Sequence, residues 1–190
     1  VLVETGGGGD CFYHAFGFSM ETIFNGVIDL KGYTYSKKKS KHWMGNLRQL
    51  VTDYFDSIKD NEDLGILARD DIRWGTILAE MEQRQRKNES IGNTILRNQK
   101  KFRQRMKNVG KFAEEPDIYL MSLLFDINIL MILNKDHVIN GNMIGPDVDN
   151  YRKIIQEYIQ SPTKETLQRN KMIILYNDRV SGGDHYQAII

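Results

Sequence analysis

Four consecutive glycines, Gly6 to Gly9, lead through Asp10 into Cys11, the only cysteine in the 190 residues. An amphipathic stretch follows at once. Phe12, Ala15, Phe16, Met20, Ile23 and Phe24 recur at helical spacing, and Gly26 ends the pattern. Glycine allows positive φ and close approach of the backbone to a bound group. A helix beginning at Cys11 sets the sulfur among unpaired N–H donors at the positive end of the helix dipole. That setting favours the nucleophilic thiolate. A matching base stands near the other end, in Gly183-Asp184-His185-Tyr186-Gln187. Plainer readings exist: a lone cysteine is also a small buried hydrophobe, and a glycine run is also a linker.

Composition narrows the field. The length suits a single domain with its own core, and 41% apolar residues suit a globular chain. A net charge of +1 calls for neither nucleic acid nor a membrane as an obligate partner. One cysteine excludes an internal disulfide framework and a cysteine zinc site, and no cofactor or metal is expected. A thiol that must stay reduced points to the cytoplasm. No apolar run approaches the roughly 20 residues of a membrane span, and no signal peptide is visible. The start at Val1 reads as a domain cut from a longer chain. Gly6 to Gly9 lacks the preceding buried strand and the lysine of a phosphate loop.

Along the chain, Val1 to Thr5 reads as an extended lead-in to the Cys11 helix, in which His14 is a packed residue. Residues 27–41 are a loop ending in Lys37-Lys38-Lys39-Ser40-Lys41. A second helix is expected from His42 to Lys59, with Trp43, Leu47, Leu50, Val51, Tyr54, Phe55 and Ile58 on one face. Asp60 to Asp63 break that pattern, and Ile77, Leu78 and Met81 suggest another helix. Residues 84–111 are polar and basic, with a sparse seam of Ile91, Ile95, Leu96, Phe102 and Met106. They read as a solvated helical arm, or alternatively as a variable arm that contacts a protein partner, anionic lipid or nucleic acid. Phe102 alone among them is aromatic, which argues against base stacking.

Glu114-Glu115-Pro116-Asp117 starts a helix, with acids at its positive end and proline in its first turn. Ile127 to Leu133 is a buried strand, turned by Asn134-Lys135-Asp136 into His137-Val138-Ile139. His137 is structural in this reading. Gly141 to Asp149 is expected as loop, Asn150 to Ile159 as helix and Lys171 to Asn177 as a buried strand. Asp178 to Asp184 is a turn, and His185 to Ile190 the last strand.

The run Gly8-Gly9-Asp10-Cys11-Phe12-Tyr13-His14-Ala15 and the later His185-Tyr186-Gln187 resemble the two motifs of the ovarian-tumour (OTU) family of cysteine proteases, most of which are deubiquitinases. The motifs lie 185 − 11 = 174 residues apart in the family's order, so the resemblance covers nearly the whole chain. It implies an α+β, papain-like OTU fold: a small, mostly antiparallel sheet packed between helices. Residues 1–190 would be one catalytic domain, with about 64–111 a variable basic helical insertion. Three positions depart from the family. Gly8 replaces an aspartate, Asp10 an asparagine, and Gln187 the carboxylate or amide two residues beyond the histidine.

The resemblance implies Cys11 as nucleophile and His185 as general base. Gly8, Gly9 and Asp10 form the oxyanion loop, with N–H donors from Cys11, Gly8 and Gly9. Without the family's aspartate this loop is expected to form its hole only when substrate binds. Gln187 is the candidate third member, accepting the imidazole N–H, with Asp178, Asp184 and Asp10 as competitors. The implied partner is ubiquitin or polyubiquitin, met by a monomer that hydrolyses bonds at the ubiquitin C-terminus. An anionic surface could meet the basic arm. A catalytically weak ubiquitin-binding module, or removal of a ubiquitin-like modifier, stands beside that reading. The divergent loop and insertion would suit a microbial or viral protein acting in host cytoplasm.

Overall fold

The computed structural model describes residues 1–24, 40–59, 85–179 and 185–190. Residues 27–39 of the expected loop, the helix expected at Ile77 to Met81 and residues 180–184 of the expected turn lie outside them, while Ser40 and Lys41 are helical and Asp178 ends a strand. Five strands form one sheet in the order β1-β5-β4-β2-β3. These are β1 (Leu2–Val3), β2 (Asn128–Lys135), β3 (Val138–Ile144), β4 (Met172–Asp178) and β5 (His185–Ile189). Only β2 and β4 run parallel, so the sheet is mostly antiparallel as expected. Their apolar runs are why these two strands are central: Ile129, Leu130 and Met131 are buried in succession, as are Met172 to Leu175. β5 alternates instead. Tyr186 and Ala188 are buried, while His185 and Gln187 share a half-exposed face.

Six α-helices accompany the sheet among the described residues: α1 (Cys11–Phe24), α2 (Ser40–Ile58), α3 (Ile91–Lys107), α4 (Glu115–Phe125), α5 (Tyr151–Gln160) and α6 (Lys164–Arg169). α1 lies against β5 and β4, burying Phe12, Tyr13, Ala15, Phe16, Met20 and Ile23. α2 packs on α3 and α4. The α4 start follows from its sequence: Glu114 and Asp117 form a capping box, with Pro116 in the first turn.

Three expectations change. β3 continues through Gly141 to Ile144, where a loop was expected. The polar Asn140-Gly141-Asn142 run lies on an exposed edge, but Gly141 pairs with Ile132, and Met143 and Ile144 are buried. The short α6, capped by Thr163 on the Thr166 N–H, carries too little periodicity to be read in advance. The arm helix α3 is also not simply solvated. Phe102 meets Phe55 at 5.1 Å between ring centroids, and Met106 is fully buried, whereas Ile91 and Leu96 of the expected seam are exposed. Its arginines are engaged within the chain: Arg97 with Glu89, Arg103 with Asp56, Arg105 with Asp117.

Candidate active site

Cys11 is the first residue of α1, entered through a short 3-10 turn at Gly8–Asp10. Its side chain is buried at 1% exposure. The Cys11 N–H donates to the Gly8 carbonyl, closing that turn. In this conformation the Cys11 N–H, one of the three donors expected to hold an oxyanion, is thus engaged inside the turn. Gly8 itself needs its glycine, at φ +76°. A Cβ on Gly9 would stand 2.0 Å from the Gly110 carbonyl oxygen, so only glycine lets these two backbones touch.

Asp10, expected as a competitor for the orienting role, is bonded instead to Arg48 and to the Gly110 backbone. Its Oδ1 accepts from Arg48 Nε at 3.0 Å and Nη2 at 2.6 Å, and its Oδ2 accepts the Gly110 N–H at 2.9 Å. Arg48, on α2, is completely buried, with its guanidinium 4.1 Å from the Tyr13 ring centroid. Next to it, the Tyr13 hydroxyl donates to Asp117 Oδ1 at 2.9 Å and Arg105 Nη2 donates to Asp117 Oδ2 at 2.8 Å. Burial, together with the charge of Asp117, raises the Tyr13 pKa well above its ordinary value.

His185 begins β5. Phe12, beside Cys11, and Tyr186, beside His185, meet edge to face at 5.3 Å, which brings the start of α1 against the start of β5. The partner of the imidazole is Glu4. Pairing of Leu2 with Ile189 and of Val3 with Ala188 carries Glu4 alongside Gln187, within reach of His185. His185 Nε2 lies 2.7 Å from Glu4 Oε2, and Gln187 Nε2 donates to the same oxygen at 2.8 Å. The Gly6 N–H donates to Glu4 Oε1 at 3.2 Å. Partial burial pushes the Glu4 carboxyl up, but the hydrogen bonds from His185, Gln187 and Gly6 outweigh it and hold the pKa below its ordinary value.

An ionised carboxylate only accepts hydrogen bonds, so His185 Nε2 must carry the proton it shares with Glu4. In the neutral ring Nδ1 is then the basic nitrogen. The same reasoning turns the Gln187 NH2 toward Glu4. Gln187 is thus one step behind the histidine, holding the group that holds the imidazole. Asp178 is the register partner of His185 across β4, and Asp184 lies outside the described residues.

Two residues of this site escaped sequence reading. Glu4 had one signal, an acid in an extended segment just ahead of Cys11. Arg48 had a clearer one, a charge on the buried face of α2 between Leu47 and Val51. No group of three or more metal-ligating side chains occurs among the described residues. No helix among them is long and apolar enough to cross a membrane.

Neither a family model nor a curated protein matches this sequence. Solved structures do. The viral OTU domain protease from Farallon virus is 11% identical, covering 99% of this chain and 82% of its own, with a TM-score of 0.54. An OTU deubiquitinase from Wolbachia pipientis wMel, solved bound to ubiquitin, is 12% identical, covering 100% of this chain and 94% of its own, with a TM-score of 0.51. At such identities the likeness is one of fold: this chain has an OTU-like fold.

Proposed function

We propose that the protein is a cysteine-dependent deubiquitinase. The observation that carries this reading is the Glu4–His185–Gln187 group at the mouth of β5, beside a helix that begins with the only cysteine. The OTU-like fold supports it, and the ubiquitin-bound Wolbachia neighbour supports ubiquitin as the substrate. Cys11 Sγ attacks the carbonyl carbon of an isopeptide or peptide bond while His185 Nδ1 takes the thiol proton. The tetrahedral intermediate collapses, the C–N bond breaks, and the imidazolium returns the proton to the leaving amine. Water, deprotonated by His185, then hydrolyses the thioester and frees the ubiquitin carboxylate. Glu4 keeps the proton on Nε2 throughout, and Gln187 keeps Glu4 in place.

The Cys11 N–H must leave the Gly8 carbonyl before it can meet an oxyanion. Substrate binding is the natural trigger, because Gly7 and Gly8 have open space around them. The same closed turn favours a second reading, a ubiquitin-binding module of weak catalytic power. One experiment separates the two. Ubiquitin bearing a C-terminal cysteine-reactive group is mixed with wild type, Cys11→Ala and His185→Ala, and the products are weighed by mass spectrometry. The deubiquitinase reading requires an added mass of one ubiquitin that vanishes in Cys11→Ala and is reduced in His185→Ala. Measurable ubiquitin affinity without any adduct would transfer the protein to the binding class.

A further inference from the structure

A guanidinium with no exposure is costly unless each of its donors is engaged. Arg48 resolves that cost in one place. Nε and Nη2 meet Asp10, Nη1 meets the Met106 carbonyl at 3.0 Å, and Nη2 also meets the carbonyls of Gly9, at 3.4 Å, and Lys111. Asp10 closes the circle by accepting the Gly110 N–H. One side chain therefore joins two segments about 100 residues apart: the turn that ends at the nucleophile and the chain leaving the arm helix. The Gly9–Gly110 backbone contact lies within the same clamp.

We infer that Arg48 is the positioning residue of the oxyanion loop, an inference that rests on Cys11 being the nucleophile. It fixes Gly9 and Asp10 to α2 and to residues 106–111, so that rearrangement on substrate binding is confined to Gly6 through Gly8. The nucleophile and its helix keep their position while a single glycine-rich segment moves. In this arrangement the arm helix is part of the catalytic apparatus, since its last turn supplies the Met106 carbonyl that Arg48 needs. Arg48 itself touches no substrate.

The test compares Arg48→Lys, which keeps the charge and loses the planar fork, with Arg105→Lys, which disturbs the adjoining Asp117 pair without reaching the loop. Amide hydrogen exchange of a peptide spanning residues 8–12 is measured alongside kcat and KM on ubiquitin carrying a C-terminal fluorogenic amide. Exchange should accelerate at least about tenfold in Arg48→Lys and hold in Arg105→Lys. In Arg48→Lys, kcat should fall on the order of 10²-fold, the expected cost of a misplacement near 1 Å, with KM changed less than about threefold. Equal exchange in the two variants, or equal loss of kcat, would overturn the inference. If Arg48→Lys does not fold, Asp10→Asn, which keeps an acceptor oxygen, is read the same way. A wild type that leaves ubiquitin uncut would count against the deubiquitinase reading, while the exchange comparison would still decide the anchor.

Discussion

Cys11 and His185 each begin a secondary-structure element, yet their surroundings differ in kind. The turn before Cys11 is tied to Arg48, a fully buried cation, and through it to Met106, Gly110 and Lys111. His185 is held by Glu4, whose side chain is 55% exposed, on a strand paired with one only two residues long. Charges in the first setting are shielded from water and salt, and losing a partner strands its mate. In the second, water replaces whatever is removed. The difference teaches that this site fixes the proposed nucleophile by burial and leaves the proposed base adjustable.

The sharpest way to break that comparison is Asp117→Ala. It removes the carboxylate that serves both Tyr13 and Arg105, at 0% exposure, and leaves a half-buried guanidinium and a fully buried phenol without it. Urea denaturation should show a loss of about 3–5 kcal/mol; a loss below about 1 kcal/mol would mean the buried network behaves like a surface pair. Gly9→Ala comes next. The new Cβ would stand 2.0 Å from the Gly110 oxygen, forcing the two loops apart at about 1–3 kcal/mol. Gly7→Ala, with nothing within 4 Å, serves as its control.

On the other side, Glu4→Gln should leave stability within about 1 kcal/mol, since the pair is exposed. Its kcat should nevertheless drop about tenfold or more, because a neutral amide no longer dictates which imidazole nitrogen carries the proton. A kcat within twofold of wild type would transfer the orienting role to another group.

The smallest effect lies at the exposed beginning of α3. Hydrogen bonds from Arg97 first, then from the Arg86 N–H and Thr94, hold the Glu89 carboxyl down to about 2. A depressed carboxyl contributes fully above its ordinary value and loses that contribution as pH falls through the depressed one. Amide protection in the first turn of α3 should therefore persist down to about pH 3 and fade near 2. In Glu89→Gln this acid dependence should vanish. Fading already near pH 4 in the wild type would show that the ion pair does not form in solution.

How much was legible follows the range of the interactions. α1, α2, α4, β2 and β4 were readable because local periodicity, caps and apolar runs specify them. β1 and the far half of β3 were not, because two residues of strand, or an Asn-Gly-Asn edge, exist only through a partner elsewhere in the chain. Cys11 and His185 stood out by residue type and motif. Glu4 and Arg48 act across 181 and 38 residues, and nothing local to them names the partner. The arm was misjudged for the same reason: Arg105 looks like one more surface cation until Asp117 comes to meet it.

The Ile190 N–H bonds to the Val1 carbonyl at 3.0 Å, so residues 1 and 190 leave the sheet side by side at one edge. Tension applied between them would load the β1–β5 rungs one after another, as in a zipper, instead of shearing them together. The first rungs to open lie at residues 2 and 3, and the next contact along the seam is the carboxylate that meets His185. A pull of that kind would release His185 from Glu4 while the helix that carries the thiol remained folded, making the proposed base mechanically separable from the proposed nucleophile.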